Sequence, residues 1–281
     1  MSKYTLLIDG DIVAYRAGFA AEKRVYYDTR TPPKDGGSSF SYKKEALAVI
    51  PKDYLTYERE LEPLDNALYN CKSLIQTAID KVSEEFDTED IMYVTFMTGN
   101  TEEENFRNKV SAEYKANRDK LHRPTYLDEI KDYLVRKHSG YLSQGCEADD
   151  FFGQASTDAR RQNRIPVIAS IDKDLKQIAG YHYNFMSGQI EEVSEELASV
   201  VFWRQMLEGD RVDNIQGIKG IGEVKARNTL PTGTTNEEAK ELVLNYYQKD
   251  FTEWEKKFNE NADLLWIWRK VPDSCPYKIE H

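Results

Sequence analysis

The chain has 281 residues, 40% of them hydrophobic and 31% charged, with a net charge of −11; that is an ordinary soluble composition, long enough for one large domain or a core with an appendage. No apolar run approaches the length needed to span a bilayer, and Asp9 stands where a secretory signal would need its hydrophobic core, so a cytoplasmic protein is expected. Three cysteines, Cys71, Cys146 and Cys275, are odd in number, widely spaced and without a CxxC pair, so neither a disulfide framework nor a thiolate zinc site is indicated.

Tyr4 to Ile8 reads as a buried strand, followed by a helix from Asp11 to Lys23 and by a loop where TRTPPKDGGSS breaks all periodicity. From Leu64 to Phe86 the positions Leu64, Leu68, Cys71, Ile75, Ala78, Val82 and Phe86 keep helical spacing, which predicts a long amphipathic helix packed on a sheet. Ile91 to Met97 is rich in β-branched and aromatic residues and reads as the next strand. The polar stretch from Gly99 to Pro124 has no stripe wide enough to bury, so it is either a mobile loop or a helical arch exposed on both sides. Helices are expected at Tyr126 to Lys137 and Asp149 to Gln162, then a strand over Ile165 to Ala169, a helix from Asp172 and a short strand near His182 to Met186. Beyond Glu195 no strand signal remains; the last third reads as helical, with Trp203, Tyr246, Tyr247, Trp254, Trp266 and Trp268 as core. Alternating strand and helix predicts an α/β fold with a mainly parallel sheet flanked by helices.

The chemistry lies in the acids. Asp9 and Asp11 (LLIDGD), Glu147, Asp149 and Asp150 (GCEADD), Asp172 and Asp174 (SIDKD), and Asp210 and Asp213 (EGDRVDN) sit in short clusters, and the first and third clusters directly follow predicted buried strands. Strand ends are where open α/β sheets place their ligands. Gathering that many like charges is costly unless cations neutralise them, and an all-oxygen donor set suits Mg²⁺ or Mn²⁺, pointing to metal-dependent phosphoryl transfer. No Gly-rich loop ending in Lys-Ser/Thr is present, which argues against a nucleotide triphosphatase. The net negative charge at first opposes a nucleic-acid partner, but Arg107 to Arg123 carries six Lys/Arg as a local basic patch. The run GIKGIGEVKA, Gly217 to Ala226, is the helix-hairpin-helix pattern of sequence-nonspecific duplex binding, in which glycine amides approach a phosphate and Lys219 and Lys225 supply charge.

Taken together, IDGD, YKANR, EADD, DKD, GDxxDN and GIxGIG, in this order over about positions 4 to 230, resemble the flap endonuclease family, most of all its bacteriophage 5′ to 3′ exonucleases. The resemblance implies a PIN-like α/β core over 1–195 with a helical arch near 99–124, and a helical DNA-binding region over 196–281 containing a helix-three-turn-helix motif. It implies that Asp9, Glu147, Asp149 and Asp150 hold one Mg²⁺ or Mn²⁺, and that Asp172, Asp174, Asp210 and Asp213 hold or orient a second, with K⁺ at the helix-three-turn-helix. Lys115 and Arg118 match the arch-base cations that contact the scissile phosphate, and Tyr114 matches a stacking position for a terminal base. Gly217, Lys219, Gly220, Gly222 and Lys225 match the duplex-gripping turn. The implied partners are duplex or flap DNA, or the RNA of RNA–DNA hybrids, and the implied setting is a phage-encoded enzyme in its host's cytoplasm. Two features depart from the family. Thr98 stands where much of it has another Asp, leaving Glu102, Glu103 or Glu104 as substitutes, and Arg24 to Pro63 has no counterpart and reads as a surface insertion. Two rival readings are a PIN-class endoribonuclease, disfavoured by the GIKGIG module, and a non-catalytic DNA-junction binding protein, supported by Thr98 alone.

Overall fold

A computed structural model describes residues 3–99, 105–117 and 122–279. In chain order its elements are β1 (Tyr4–Asp9), α1 (Gly10–Ala20), β2 (Glu22–Asp28), β3 (Ser39–Phe40), α2 (Lys43–Val49), β4 (Leu55–Leu61), α3 (Leu64–Phe86), β5 (Ile91–Met97), α4 (Phe106–Val110), α5 (Leu127–Lys137), β6 (Gly140–Leu142), α6 (Ala148–Arg161), β7 (Ile165–Ala169), β8 (Gly180–Tyr183), β9 (Ile190–Val193), α7 (Glu195–Glu208), β10 (Gly209–Asp210), β11 (Ile215–Gln216), α8 (Glu223–Thr229), α9 (Asn236–Asp250) and α10 (Trp254–Leu265). They form two compact units, and no boundary falls at 195/196. One unit comprises Met1–Asp11, Thr77–Leu121 and Leu134–His281; the other comprises Ile12–Gln76 and His122–Tyr133.

The larger unit is built on a six-stranded sheet of order β6-β5-β1-β7-β8-β9, parallel throughout except for β9, which runs antiparallel to β8. β1 is central and covered on both faces: Leu6, Leu7 and Ile8 are wholly buried, as a parallel strand between helical layers requires. The chain adds β5 and β6 on one side of β1 and β7 and β8 on the other, so the carboxyl ends of β1 and β7 flank a topological switch point. The next turn leaves β1 through Gly10, where a Cβ would lie 2.5 Å from Met97 Cγ. The final third is helical as expected, around Trp203, Tyr247 and Phe258, all fully buried. It also carries the two-residue ladder β10–β11, too short to leave a strand signal in the sequence. The helix expected from Asp172 is only a 3₁₀ turn, Asp174–Gln177.

Residues 105–117 are not exposed on both sides. Asn105, Arg107 and Tyr114 are buried, Phe106 stacks on Trp268 at 4.5 Å, and Arg107 reaches the carbonyls of Leu264 and Trp266. A polar stretch can pack this way when its polar atoms find partners in the interior, a pattern that hydrophobic periodicity does not register. The smaller unit contains a three-stranded antiparallel sheet, β3-β2-β4, whose small core is Tyr26, Ala46 and Ile50 with Phe40 and Leu55 against it. The stretch read as a surface insertion is thus an ordered sheet. Among the described residues, no helix is long and apolar enough to cross a membrane.

Candidate active site

Asp9, the last residue of β1, is buried, and its Oδ2 accepts a 2.6 Å hydrogen bond from Ser170 Oγ beyond β7. The same Ser170 Oγ accepts from the Asp172 amide at 3.0 Å, and Asp172 Oδ1 accepts from the Asp174 amide at 2.8 Å. The ends of the two neighbouring strands therefore tie Asp9, Asp172 and Asp174 into one chain of short contacts. Asp210 closes its own turn by accepting from the Val212 and Asp213 amides at 2.7 and 3.2 Å. Such local side-chain to backbone bonds orient a carboxylate.

α6 delivers the GCEADD acids, with Glu147 as N-cap and Asp150 completing a capping box. The EYKAN turn docks on the loop between β10 and β11: Lys115 N–H donates to Asp213 O at 2.9 Å, Asn214 Nδ2 to Glu113 O at 2.7 Å, and Asn117 Nδ2 to Arg211 O at 2.7 Å. Lys115 and Asn214 both hold positive φ, 58° and 59°, as this clasp requires. It places the Lys115 ammonium against Glu147 Oε1 and 3.6 Å from Asp213 Oδ2, while Tyr114 Oη lies 3.0 Å from Glu147 Oε2 and 2.9 Å from Asp213 Oδ2. Asn105 Nδ2 donates a further bond to Glu147 at 3.0 Å.

The electrostatics separate these acids. Burial would push the Glu147 carboxyl up, but the charges of Lys115 and Arg107, with hydrogen bonds from Lys115 and Tyr114, bring it below the usual range. Asp149 is driven well above the usual range, first by burial and then by Asp172, Glu147 and Asp9. Burial also raises Asp172, which Asp213 and Asp210 push further, and Asp174 is pushed up to about 7 by burial and by Asp172. Asp172 is open to water, so its repulsions are the more screened. Asp149 and Asp172 repel each other, so the two expected ligand sets lie within electrostatic reach, Asp9 and Glu147 on one side and Asp174, Asp210 and Asp213 on the other. Among the described residues, no three His, Cys, Asp or Glu side chains already stand in the array of a closed metal site. The donor set nevertheless fits a hard divalent cation: it is all carboxylate oxygen, and its raised acids are those that an added positive charge would return to the ionised form.

Two expected roles are corrected. Asp150, expected as a ligand, is wholly buried, and its two oxygens accept from Arg107 Nη1 (2.6 Å), Arg107 Nη2 (3.0 Å), the Glu147 amide (3.1 Å) and the Trp268 amide (3.1 Å). All of a carboxylate's lone-pair directions are then used, leaving none for a metal. Tyr114, expected to stack on a base, is buried, and burial together with Glu147 raises its phenol far above the usual range. Its work is to hold Glu147 and Asp213 together. The basic patch loses two members in consequence, Arg107 to Asp150 and Lys115 to Glu147. Arg118, Glu102, Glu103 and Glu104 lie outside the described residues. Thr98 donates its amide to Asp11 Oδ2 at 2.7 Å.

The GIKGIG turn runs from β11 to α8 with Lys219, Gly220, Gly222 and Lys225 exposed, and Gly220 takes φ +75°. Gly217 serves packing: a Cβ there would meet Glu208 C at 2.2 Å. Not every amide of the turn is turned outward, because Lys219 N–H donates to Asp250 Oδ2 at 2.8 Å and Ile218 N–H to Leu207 O. Sequence reasoning missed Asn105, Ser170 and Asn214, and counted Arg107 only as part of a basic patch. Their signal is only that each is a polar residue beside an acid motif or inside YKAN's docking loop.

Residues 47–202, more than half of the chain, match the model of the 5′-3′ exonuclease N-terminal resolvase-like domain. Among curated proteins, DNA polymerase I of Pseudomonas aeruginosa is 31% identical over 44% of this chain and 15% of its own length. The 5′-3′ exonuclease of Mycoplasma pneumoniae is 26% identical over 81% of this chain and 72% of its own. The chain spans about a sixth to a quarter of the length of the polymerase relatives it matches. The solved structure of bacteriophage T5 5′-exonuclease with bound zinc superposes with a TM-score of 0.53 at 15% identity, covering 94% of this chain and 90% of that one.

Proposed function

Since this chain belongs to the 5′-3′ exonuclease family, we propose that it is a divalent-metal-dependent nuclease that hydrolyses phosphodiester bonds of duplex or flap DNA from 5′ ends. The observation that carries the reading is the chain of contacts that joins Asp9, Asp172 and Asp174 at the carboxyl ends of β1 and β7, with Asp149 of α6 within electrostatic reach: burial first, and then the neighbouring acids, raise Asp149, Asp172 and Asp174. Asp9, Glu147 and Asp149 would hold one Mg²⁺ or Mn²⁺, and Asp172, Asp174, Asp210 and Asp213 a second. When bound, such ions supply Lewis acidity toward the phosphodiester oxygens. A T5 neighbour solved with DNA and metal ions supports both partners.

The protein's own groups supply position and charge. Lys115 is clasped between Glu147 and Asp213, among the described residues a cation set directly at the acids; a preset ammonium there would stabilise charge developing on the phosphoryl oxygens. Tyr114 fixes the spacing of Glu147 and Asp213 by bonding both. The exposed Lys219 and Lys225 neutralise backbone phosphates of the duplex without reading bases. Digestion of a 5′-labelled duplex, a 5′ flap and an RNA–DNA hybrid, each with Mg²⁺ and with EDTA, tests the reading. Mg²⁺-dependent release from the 5′ end is expected, and no release under any divalent ion would overturn it.

A further inference from the structure

The smaller unit has a sheet face that the proposed chemistry does not use. Side chains alternate along a strand, and in β2 and β4 the alternation sorts charge. Arg24 pairs directly with Arg59, and Tyr26 with Tyr57, so these four share one face; Glu58 and Glu60 point to the other, where Glu58 accepts from Tyr27 Oη at 2.8 Å. The acids on the arginine face are already engaged: Glu22 accepts from His122 and Thr125, and Asp28 is held by Arg30 at 2.6 Å. Arg24, Tyr57 and Arg59 are exposed, as is Leu61 beside them.

Two like charges directly opposite on a sheet are destabilising, so this pair needs a reason. Both guanidinium groups lie over the Tyr57 ring, at 5.2 and 5.9 Å from its centroid. Arg59 is also held from behind: its Nη1 lies 2.8 Å from His122 Nδ1, whose Nε2 lies 2.9 Å from Glu22 Oε2. A cation braced in this way loses less freedom on binding an anion. The charge distribution favours such an anion here. The smaller unit carries 12 Lys/Arg and 12 Asp/Glu, so the whole net charge of −11 falls on the larger unit.

Two paired guanidinium groups suit adjacent phosphates, and an exposed tyrosine between them suits an unpaired base. We infer that the Arg24–Tyr57–Arg59 face of the β2–β4 sheet binds single-stranded DNA, the arginines taking backbone phosphates and Tyr57 a base. The inference rests on the nuclease reading only for naming DNA as the polyanion.

Binding of a fluorescein-labelled oligothymidylate, followed by anisotropy in EDTA across a salt series, tests it without cleavage. Arg24→Gln/Arg59→Gln should weaken binding about tenfold or more and reduce the slope of log K against log salt by about 1.4, the value for two single-strand phosphates. Tyr57→Ala should weaken it about tenfold with the slope unchanged, and Tyr57→Phe should restore the affinity. Lys23→Gln, on the opposite face, should bind as the parent does. Arg24→Gln alone should melt at or above the parent without DNA, because it relieves the like-charge pair. Parent-like affinity and slope in the double arginine variant would overturn the proposal. So would an equal loss in Lys23→Gln, or no loss in Tyr57→Ala, which would mark a site for any polyanion, such as an acidic protein. Cleavage is scored separately: a parent that binds through this face but hydrolyses nothing refutes the nuclease reading and leaves the surface standing.

Discussion

Asp149 and Asp150 are neighbours in one helical turn and live in opposite electrostatic worlds. Asp150 is sealed by Arg107 and two backbone amides and has every lone pair used. Asp149 faces Asp172, Glu147 and Asp9, and its charged form is disfavoured there. A one-residue step on a helix turns the side chain by about 100°, enough to carry one carboxylate into the structural interior and the other into the acid set. The difference teaches that an acidic motif is not one functional unit: one member holds the frame so that the others can bear their repulsion.

The comparison is broken most forcefully from the Asp150 side. Arg107→Ala leaves a buried carboxylate unpaired and should cost about 3–5 kcal/mol in urea unfolding without metal; a cost near zero would make the pair dispensable. Asp149→Asn should do the reverse, lowering single-turnover cleavage by roughly a hundredfold or more while melting at or above the parent in EDTA. A variant that melts well below the parent would move Asp149 into the structural class. Lys115→Ala should also lower the single-turnover rate by roughly a hundredfold, with a smaller effect on DNA affinity. An effect on binding alone would make it a guide for the substrate.

Smaller effects sharpen the same contrast. Divalent ion at a hundredfold excess over its Kd should stabilise the parent by about 2.7 kcal/mol for each site filled, and this gain should shrink in Asp149→Asn but persist in full in Asp150→Asn; equal loss in both would blur the distinction. In EDTA the raised acids make the native state bind more protons than the unfolded one, so their contribution to stability is fully present below about pH 4. It declines as pH rises through about 7, where Asp174 ionises. Mg²⁺ should flatten that decline, and a flat profile in EDTA would mean the acids do not repel as their surroundings indicate. The smallest expected change is in Lys219→Glu, which should weaken duplex binding alike for all sequences and reduce the salt slope by about 1.

The sequence by itself determined the elements with strong local patterns: the helix Leu64–Phe86 and the strands Ile91–Met97 and Ile165–Ala169 form at the expected positions, because apolar spacing and β-branched content are local properties. It also marked the strand-end carboxylates as candidates for metal chemistry by their position. What only the tertiary structure decided is which of them are claimed by the frame. Asp150 is claimed by an arginine 43 residues away, and Tyr114 by Glu147 and Asp213, the latter 99 residues away. No local window holds both partners. The same reason hid the β2–β4 sheet within a stretch that read as insertion: its alternation of Arg and Glu looks like a solvated run until strand pairing puts Arg24 opposite Arg59. Pairing across a sheet is a long-range choice, made by the packing of Tyr26 on Ala46 and Ile50 rather than by the residues that end up facing each other.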